Sequence, residues 1–155
     1  MHDADSATDG RRGRVAGVAD VLIGRAEDGE RLGSARLLVA TDDLYVAEYT
    51  LDPGGEPGTR HYHEKHSDSF YVLEGELEFP IAGGTTRAGP GTMLSAPRGA
   101  IHAFPVAIGE PARFLNMHTP GGFETYMREM VARRERGEPL DEDFLRSHDI
   151  FEVPG

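Results

Sequence analysis

The sequence predicts an all-β domain, a barrel or sandwich of short strands, followed by a helical C-terminal segment. Three observations carry this expectation. Short apolar or alternating runs recur along most of the chain, and glycine- and proline-rich reversals separate them. Beyond residue 119 the hydrophobic period then changes from that of a strand to that of a helix.

Residues 1–14, MHDADSATDGRRGR, are polar and aperiodic, which predicts a mobile leader outside the fold. Charges stand where a signal peptide needs an apolar stretch, and the Arg11-Arg12 pair, followed by Gly13, Arg14 and Asp20, makes a poor twin-arginine signal. Strands are expected at 18–23, 35–40, 44–51, 70–73, 77–81, 92–96, 101–106 and 113–117. Asp42-Asp43, Pro53-Gly54-Gly55, Gly83-Gly84, Gly89-Pro90-Gly91 and Pro97-Arg98-Gly99 supply the fixed or positive φ that reversals between them need. In Leu77-Glu78-Phe79-Pro80-Ile81 the apolar residues alternate, so one face looks inward. After Thr119-Pro120-Gly121-Gly122, the residues Phe123, Tyr126, Met127, Met130 and Val131 recur at helical spacing, predicting an amphipathic helix that ends before Gly137 and Pro139. Its apolar stripe is expected to pack on the outside of the barrel. A second short helix is expected over 141–148 with Asp141 as N-cap, and 150–153 as an edge strand. The expected organisation is a leader (1–14), a barrel (15–118) and a helical extension packed on it (119–155).

Composition narrows the function classes. The chain has 155 residues and no cysteine, which excludes disulfides, thiolate metal sites and a cysteine nucleophile. Any metal must sit on nitrogen and oxygen. A formal charge of -11, with Lys65 the one lysine among 16 basic residues, argues against nucleic acid and anionic membranes as partners. No apolar run approaches the roughly 18 residues of a membrane span, so a cytoplasmic location is expected.

The chemistry-bearing stretch runs from Gly55 to Gly75. His61 and His63 are two apart, so on a strand both imidazoles leave the same face, as a metal requires. Asp68 follows across a turn and could reach back from the neighbouring strand. His102, among the apolar residues Ile101, Phe104 and Val106, is a fourth candidate at a core location. A His-x-His pair alone is common and a lone core histidine commoner still; together with a carboxylate they make an N₃O set. Such a set suits one divalent transition ion (Fe, Mn, Ni, Co, Cu or Zn) and suits Ca²⁺ or Mg²⁺ poorly. His66 has the wrong strand parity for ligation and is expected beside the ligands or at the surface. His2, His118 and His148 are expected outside the cluster. Phe70, Val72, Phe79 and Phe104 share the inward parity and are expected to line a substrate pocket, whereas Tyr62 should face away.

These residues resemble the two motifs of the cupin family. The first is Gly, five residues, His-x-His, three or four residues, Glu, six residues, Gly. Gly55, His61, His63 and Gly75 match it, with Asp68 at the glutamate position. The second is Gly, five residues, Pro-x-Gly, two residues, His, three residues, Asn. Gly91, Pro97, Gly99 and His102 match it, with Val106 at the asparagine position. The resemblance covers 45–118 closely, and the extension resembles that of single-domain, quercetin-dioxygenase-like bacterial cupins. It implies a double-stranded β-helix, or jelly-roll, barrel with metal ligation by His61, His63 and His102 and Asp68 as the fourth ligand. Aspartate is a methylene shorter, so its carboxylate is expected to fall about 1.3–1.5 Å short, a large gap beside metal–oxygen bonds of about 2.0–2.2 Å. Asp68 could instead act as a base. The function implied is dioxygenation of a small enol, phenol or organic acid, with Asp68 taking the substrate's hydroxyl proton. A redox-neutral isomerase, cyclase or dehydratase, or a binding protein without turnover, stands as the alternative, and a homodimer is expected.

Overall fold

The computed structural model describes residues 19–154. A 3₁₀ turn (Ala26–Asp28) leads into β1 (Arg31–Leu32), β2 (Ala35–Ala40), β3 (Tyr45–Leu51), β4 (His61–Tyr62), β5 (Ser67–Glu74), β6 (Leu77–Ile81), β7 (Gly84–Ala88), β8 (Met93–Ala96), β9 (Val106–Ala107) and β10 (Ala112–Thr119). Two helices, α1 (Phe123–Glu135) and α2 (Glu142–Ser147), and a last strand, β11 (Phe151–Glu152), complete the chain.

Six strands form one sheet in the order β1-β2-β3-β10-β5-β8, and β7-β6-β9 form a second. All strand pairs are antiparallel. The inward faces meet in one core. Tyr45, Phe70 and Phe114 from the large sheet pack with Leu77, Phe79 and Ala107 from the small one, and Phe70 meets Phe79 edge-on at 5.0 Å. This is the jelly-roll barrel that the motifs imply, with a helical extension. β10, between β3 and β5, buries Ala112, Phe114, Asn116 and His118 on alternate positions. Its register sets His118 opposite Asp68 and Asn116 opposite Phe70.

β4 closes the barrel at one end. It pairs with β11, and His61 and His102 exchange backbone hydrogen bonds of 2.8 and 3.0 Å across an isolated bridge. Ala103 donates to the carbonyl of Pro80 at 3.0 Å, which fastens the His102 segment to β6. The motif glycine Gly75 has φ +77°, and a Cβ there would lie 2.6 Å from the Pro111 carbonyl oxygen, so no other residue fits without displacing backbone.

Helix α1 buries Met127 and Met130 in the barrel core, with Phe123, Tyr126 and Val131 packed against it. The apolar stripe therefore packs into the core cluster that the barrel strands share. Asp141 caps α2 by accepting from the Phe144 N–H at 2.9 Å. No helix among the described residues is long and apolar enough to cross a membrane.

Three expectations are corrected. Residues 19–23 form no strand, and Val21, Leu22 and Ile23 are exposed, because nothing among the described residues pairs with their backbone. The strand expected over 101–106 shrinks to the bridge at His102 and to β9, since Pro105 cannot donate to a ladder. β7 was hidden because Gly84-Thr85-Thr86-Arg87-Ala88 is an exposed edge with almost no apolar face. The leader expected over 1–14 lies outside the described residues.

Candidate metal centre

Four side chains converge where β4 and the His102 segment meet β5. His61 lies on β4, His63 just past it, Asp68 on β5, and His102 on the bridge opposite His61. One ligand atom of each lies within 4.8 Å of the other three. The ring centroids of His61, His63 and His102 are 4.6–5.1 Å apart. His63, Asp68 and His102 are almost fully buried, and His61 is half-buried. The second motif's turn explains part of this convergence, because the N–H of Gly99 donates to the His63 carbonyl at 2.7 Å and ties Pro97-Arg98-Gly99 to the first motif.

Backbone carbonyls set the rings. Nδ1 of His61 donates to Thr59 O at 2.8 Å, Nδ1 of His63 to Asp149 O at 2.7 Å, and Nδ1 of His102 to Ala100 O at 2.9 Å. Each Nδ1 proton is thereby spent, and Nε2 faces the cluster, the orientation that outer hydrogen bonds impose on metal-binding histidines. Nε2 of His63 is buried without a hydrogen-bond partner among the described residues. A buried polar nitrogen is stable there only with something to bind. The donor set is three imidazoles and a carboxylate, borderline to hard, and fits a divalent transition ion.

The Asp68 carboxylate lies among the imidazoles. Oδ2 accepts from His102 Nε2 at 2.9 Å and lies 3.6 Å from His63 Nε2, while Oδ1 accepts from Asn116 Nδ2 at 2.6 Å. Burial opposes ionisation of Asp68, but neighbouring imidazoles of His118, His102 and His63 outweigh it, and the carboxyl is held well below the usual carboxylate range. Burial lowers His61 to about 4, against the pull of its Thr59 bond. Burial would also lower His102, but its bond to Asp68 and that carboxylate's charge raise it above its ordinary value.

Three residues were missed, His118, Asn116 and Asp149. His118 was expected outside the cluster, yet its Nε2 lies 3.3 Å from Asp68 Oδ1 and donates to Asn116 Oδ1 at 3.0 Å, so His118 and Asn116 together brace the carboxylate. Burial lowers His118 to about 3, leaving it neutral. The signal was its even spacing from Asn116 and Phe114, but Leu115 and Met117 on the other face made either parity of β10 read as inward. Asp149 was also missed. Its carboxylate accepts from Glu64 N–H, Lys65 N–H and His66 Nδ1 at 2.8–3.0 Å, so the C-terminal extension holds the histidine loop. His66 is not in the His61 group; it stacks on His63 with centroids 3.9 Å apart.

A cavity of about 550 Å³ opens from this centre. His61, Asp68, Asn116 and His118 line it on one side, and Phe70, Phe104, Phe123, Met127 and Met130 form apolar walls. Val72 and Phe79, expected in the pocket, are fully buried core residues and do not line it. Their inward parity is shared by every residue of the barrel's interior, and only the upper layer meets the cavity. Tyr62 faces away, stacked on Phe151.

Comparison with known proteins agrees with the fold. The family model described as cupin domain matches residues 47–118. Quercetin 2,3-dioxygenase of Bacillus subtilis (strain 168) is 28% identical over 88 residues, which are 57% of this chain and 26% of that enzyme. Among solved structures, KdgF from Halomonas sp. has a TM-score of 0.58 at 24% identity, over 69% of this chain and 99% of that one. An uncharacterized conserved protein with a double-stranded beta-helix domain from Klebsiella pneumoniae has a TM-score of 0.55 at 25% identity, over 66% and 93% of the two chains.

Proposed function

Residues 47–118 place this chain in the cupin family, and on that premise we propose that it is a metal-dependent dioxygenase acting on a small, planar enol, phenol or organic acid. One observation carries the reading: a compact N₃O donor set stands at the head of a largely apolar, aromatic-walled cavity of about 550 Å³. His61, His63, His102 and Asp68 would hold one divalent transition ion. When bound, such an ion supplies Lewis acidity toward a substrate oxygen and, if redox-active, electrons for chemistry with dioxygen.

The chain's own residues have separable roles. Phe70, Phe104 and Phe123 bind a flat substrate through apolar contact and exclude water, which strengthens every charge interaction beside them. Among the described residues Asp68 is the cavity-lining carboxylate grouped with the imidazoles, so it is the candidate to receive the substrate's hydroxyl proton. Its low pKa makes it a weak base, and it serves that role only for a hydroxyl already acidified by binding. Asn116 and His118 hold the carboxylate in place during transfer. Partial identity to the Bacillus quercetin 2,3-dioxygenase supports dioxygenation over redox-neutral chemistry.

The test is turnover of flavonols, catechols and enolised diketones by protein reconstituted separately with Fe²⁺, Mn²⁺, Ni²⁺ and Cu²⁺. We expect oxygen consumption with both atoms of ¹⁸O₂ entering the product, abolished by His102→Ala. Product formed without oxygen uptake would replace the dioxygenase by an isomerase or dehydratase. Ligand binding with no turnover under any ion would leave a binding protein.

A further inference from the structure

Beside the His61 group the fold gathers a second set of nitrogens. His63, His66 and His118 each offer one ring nitrogen, and the three lie within 4.8 Å of one another. In every one of these rings the other nitrogen is committed. His63 Nδ1 donates to the Asp149 carbonyl at 2.7 Å, His66 Nδ1 to Asp149 Oδ2 at 2.8 Å, and His118 Nε2 to Asn116 Oδ1 at 3.0 Å. All three partners are oxygens that only accept, so each neutral ring spends its proton there. The lone pairs left over are on His63 Nε2, His66 Nε2 and His118 Nδ1. These same three atoms are buried and lack hydrogen-bond partners among the described residues. Three bare acceptors gathered in one place repel one another and attract a cation.

We propose that His63, His66 and His118 form a second seat for a divalent transition ion, alternative to the seat of His61, His63, His102 and Asp68. Nitrogen-only ligation favours Zn²⁺, Co²⁺, Ni²⁺ or Cu²⁺ over hard cations. His63 Nε2 is common to both groups and has one lone pair, so the chain holds one ion with two places to stand. The second seat lies between two cavities. His118 lines the large one, and His66 lines a smaller one of about 180 Å³ with Pro120, Gly121, Gly122, Phe123, Tyr126 and His148. Phe123 stacks on His118 with centroids 3.8 Å apart and planes 10° from parallel, holding that ring in place.

The inference rests on the reading that His63 also belongs to the first seat, and the experiment separates the two. Co²⁺ affinity of the full-length, metal-free chain is measured by titration against its visible absorption, in a double-mutant cycle. His61→Ala removes a ligand of the first seat alone. His66→Asn keeps a donor where Nδ1 meets Asp149 and deletes Nε2; His118→Gln keeps a donor where Nε2 meets Asn116 and deletes Nδ1. With His61 present, His66→Asn should leave Co²⁺ affinity almost unchanged. In the His61→Ala background it should weaken binding on the order of tenfold or more. His118→Gln should behave alike, and should it fail to fold, the His66→Asn arm decides. Equal effects of His66→Asn in both backgrounds would overturn the second seat while leaving the first intact. A wild-type chain that binds no Co²⁺ would remove both.

Discussion

His102 gives its Nδ1 proton to the Ala100 carbonyl, so the 2.9 Å approach of its Nε2 to Asp68 Oδ2 requires a second proton on the ring. That proton bridges two of the candidate ligands and does there what a metal ion would do. An ion entering the first seat must displace it. The sign follows directly. His102 is raised above its ordinary value of 6.5, so below that raised value the ion competes with a proton, and above it the ring is already neutral. We therefore expect Co²⁺ affinity to climb about tenfold per pH unit below that raised value and to level off above it. Calorimetry in buffers of different ionisation enthalpy should record proton release at the lower pH values. Affinity that stays flat from about pH 5 to 8 would contradict the exchange. Residue-scale features of this kind were only half legible. The spacing of His61, His63 and His102 is written in the sequence, but His118 and Asn116 act through side-chain contacts across β5 and β10, which a one-dimensional pattern does not contain.

The strands and helices explain why the shorter aspartate still reaches the cluster. β10 delivers Asn116 and His118 to the same face as Asp68, and their donors brace the carboxylate among the imidazoles. The C-terminal extension contributes as much. Between α2 and β11 stands Asp149, in the left-handed region at φ 61°, where its carbonyl and carboxylate turn together toward the histidine loop. Asp149→Ala should weaken metal affinity about 10- to 100-fold by releasing the Glu64 and Lys65 N–H groups that hold the loop carrying His63, at a stability cost of about 1 kcal/mol. Asp149→Asn should recover part of the affinity by keeping an acceptor. Metal titration alongside thermal unfolding checks both, and an Asp149→Ala variant with unchanged affinity would show the extension to be a mere cover. The helices and β11 were readable, α1 from its period and α2 from the Asp141 cap. Their bearing on the site was not, because it depends on β11 pairing with β4, distant in sequence.

On the scale of the whole molecule, barrel and centre are one construction. The two sheets meet over an aromatic core, the bridge between His61 and His102 closes one end, and α1 covers the cavity with Phe123, Met127 and Met130. The jelly roll was legible because its turns are written in glycine and proline and its motif glycines in fixed intervals. Edge strands such as β7 were not, since they bury too little to leave a pattern. The central claim is that this barrel exists to hold a transition ion at His63. Elemental analysis by plasma mass spectrometry, on protein purified without a metal-affinity tag, tests it most directly. One equivalent of a transition metal per wild-type chain, lost in a folded His63→Ala variant, is the predicted result; a metal-free wild type, or equal metal in the variant, would contradict it.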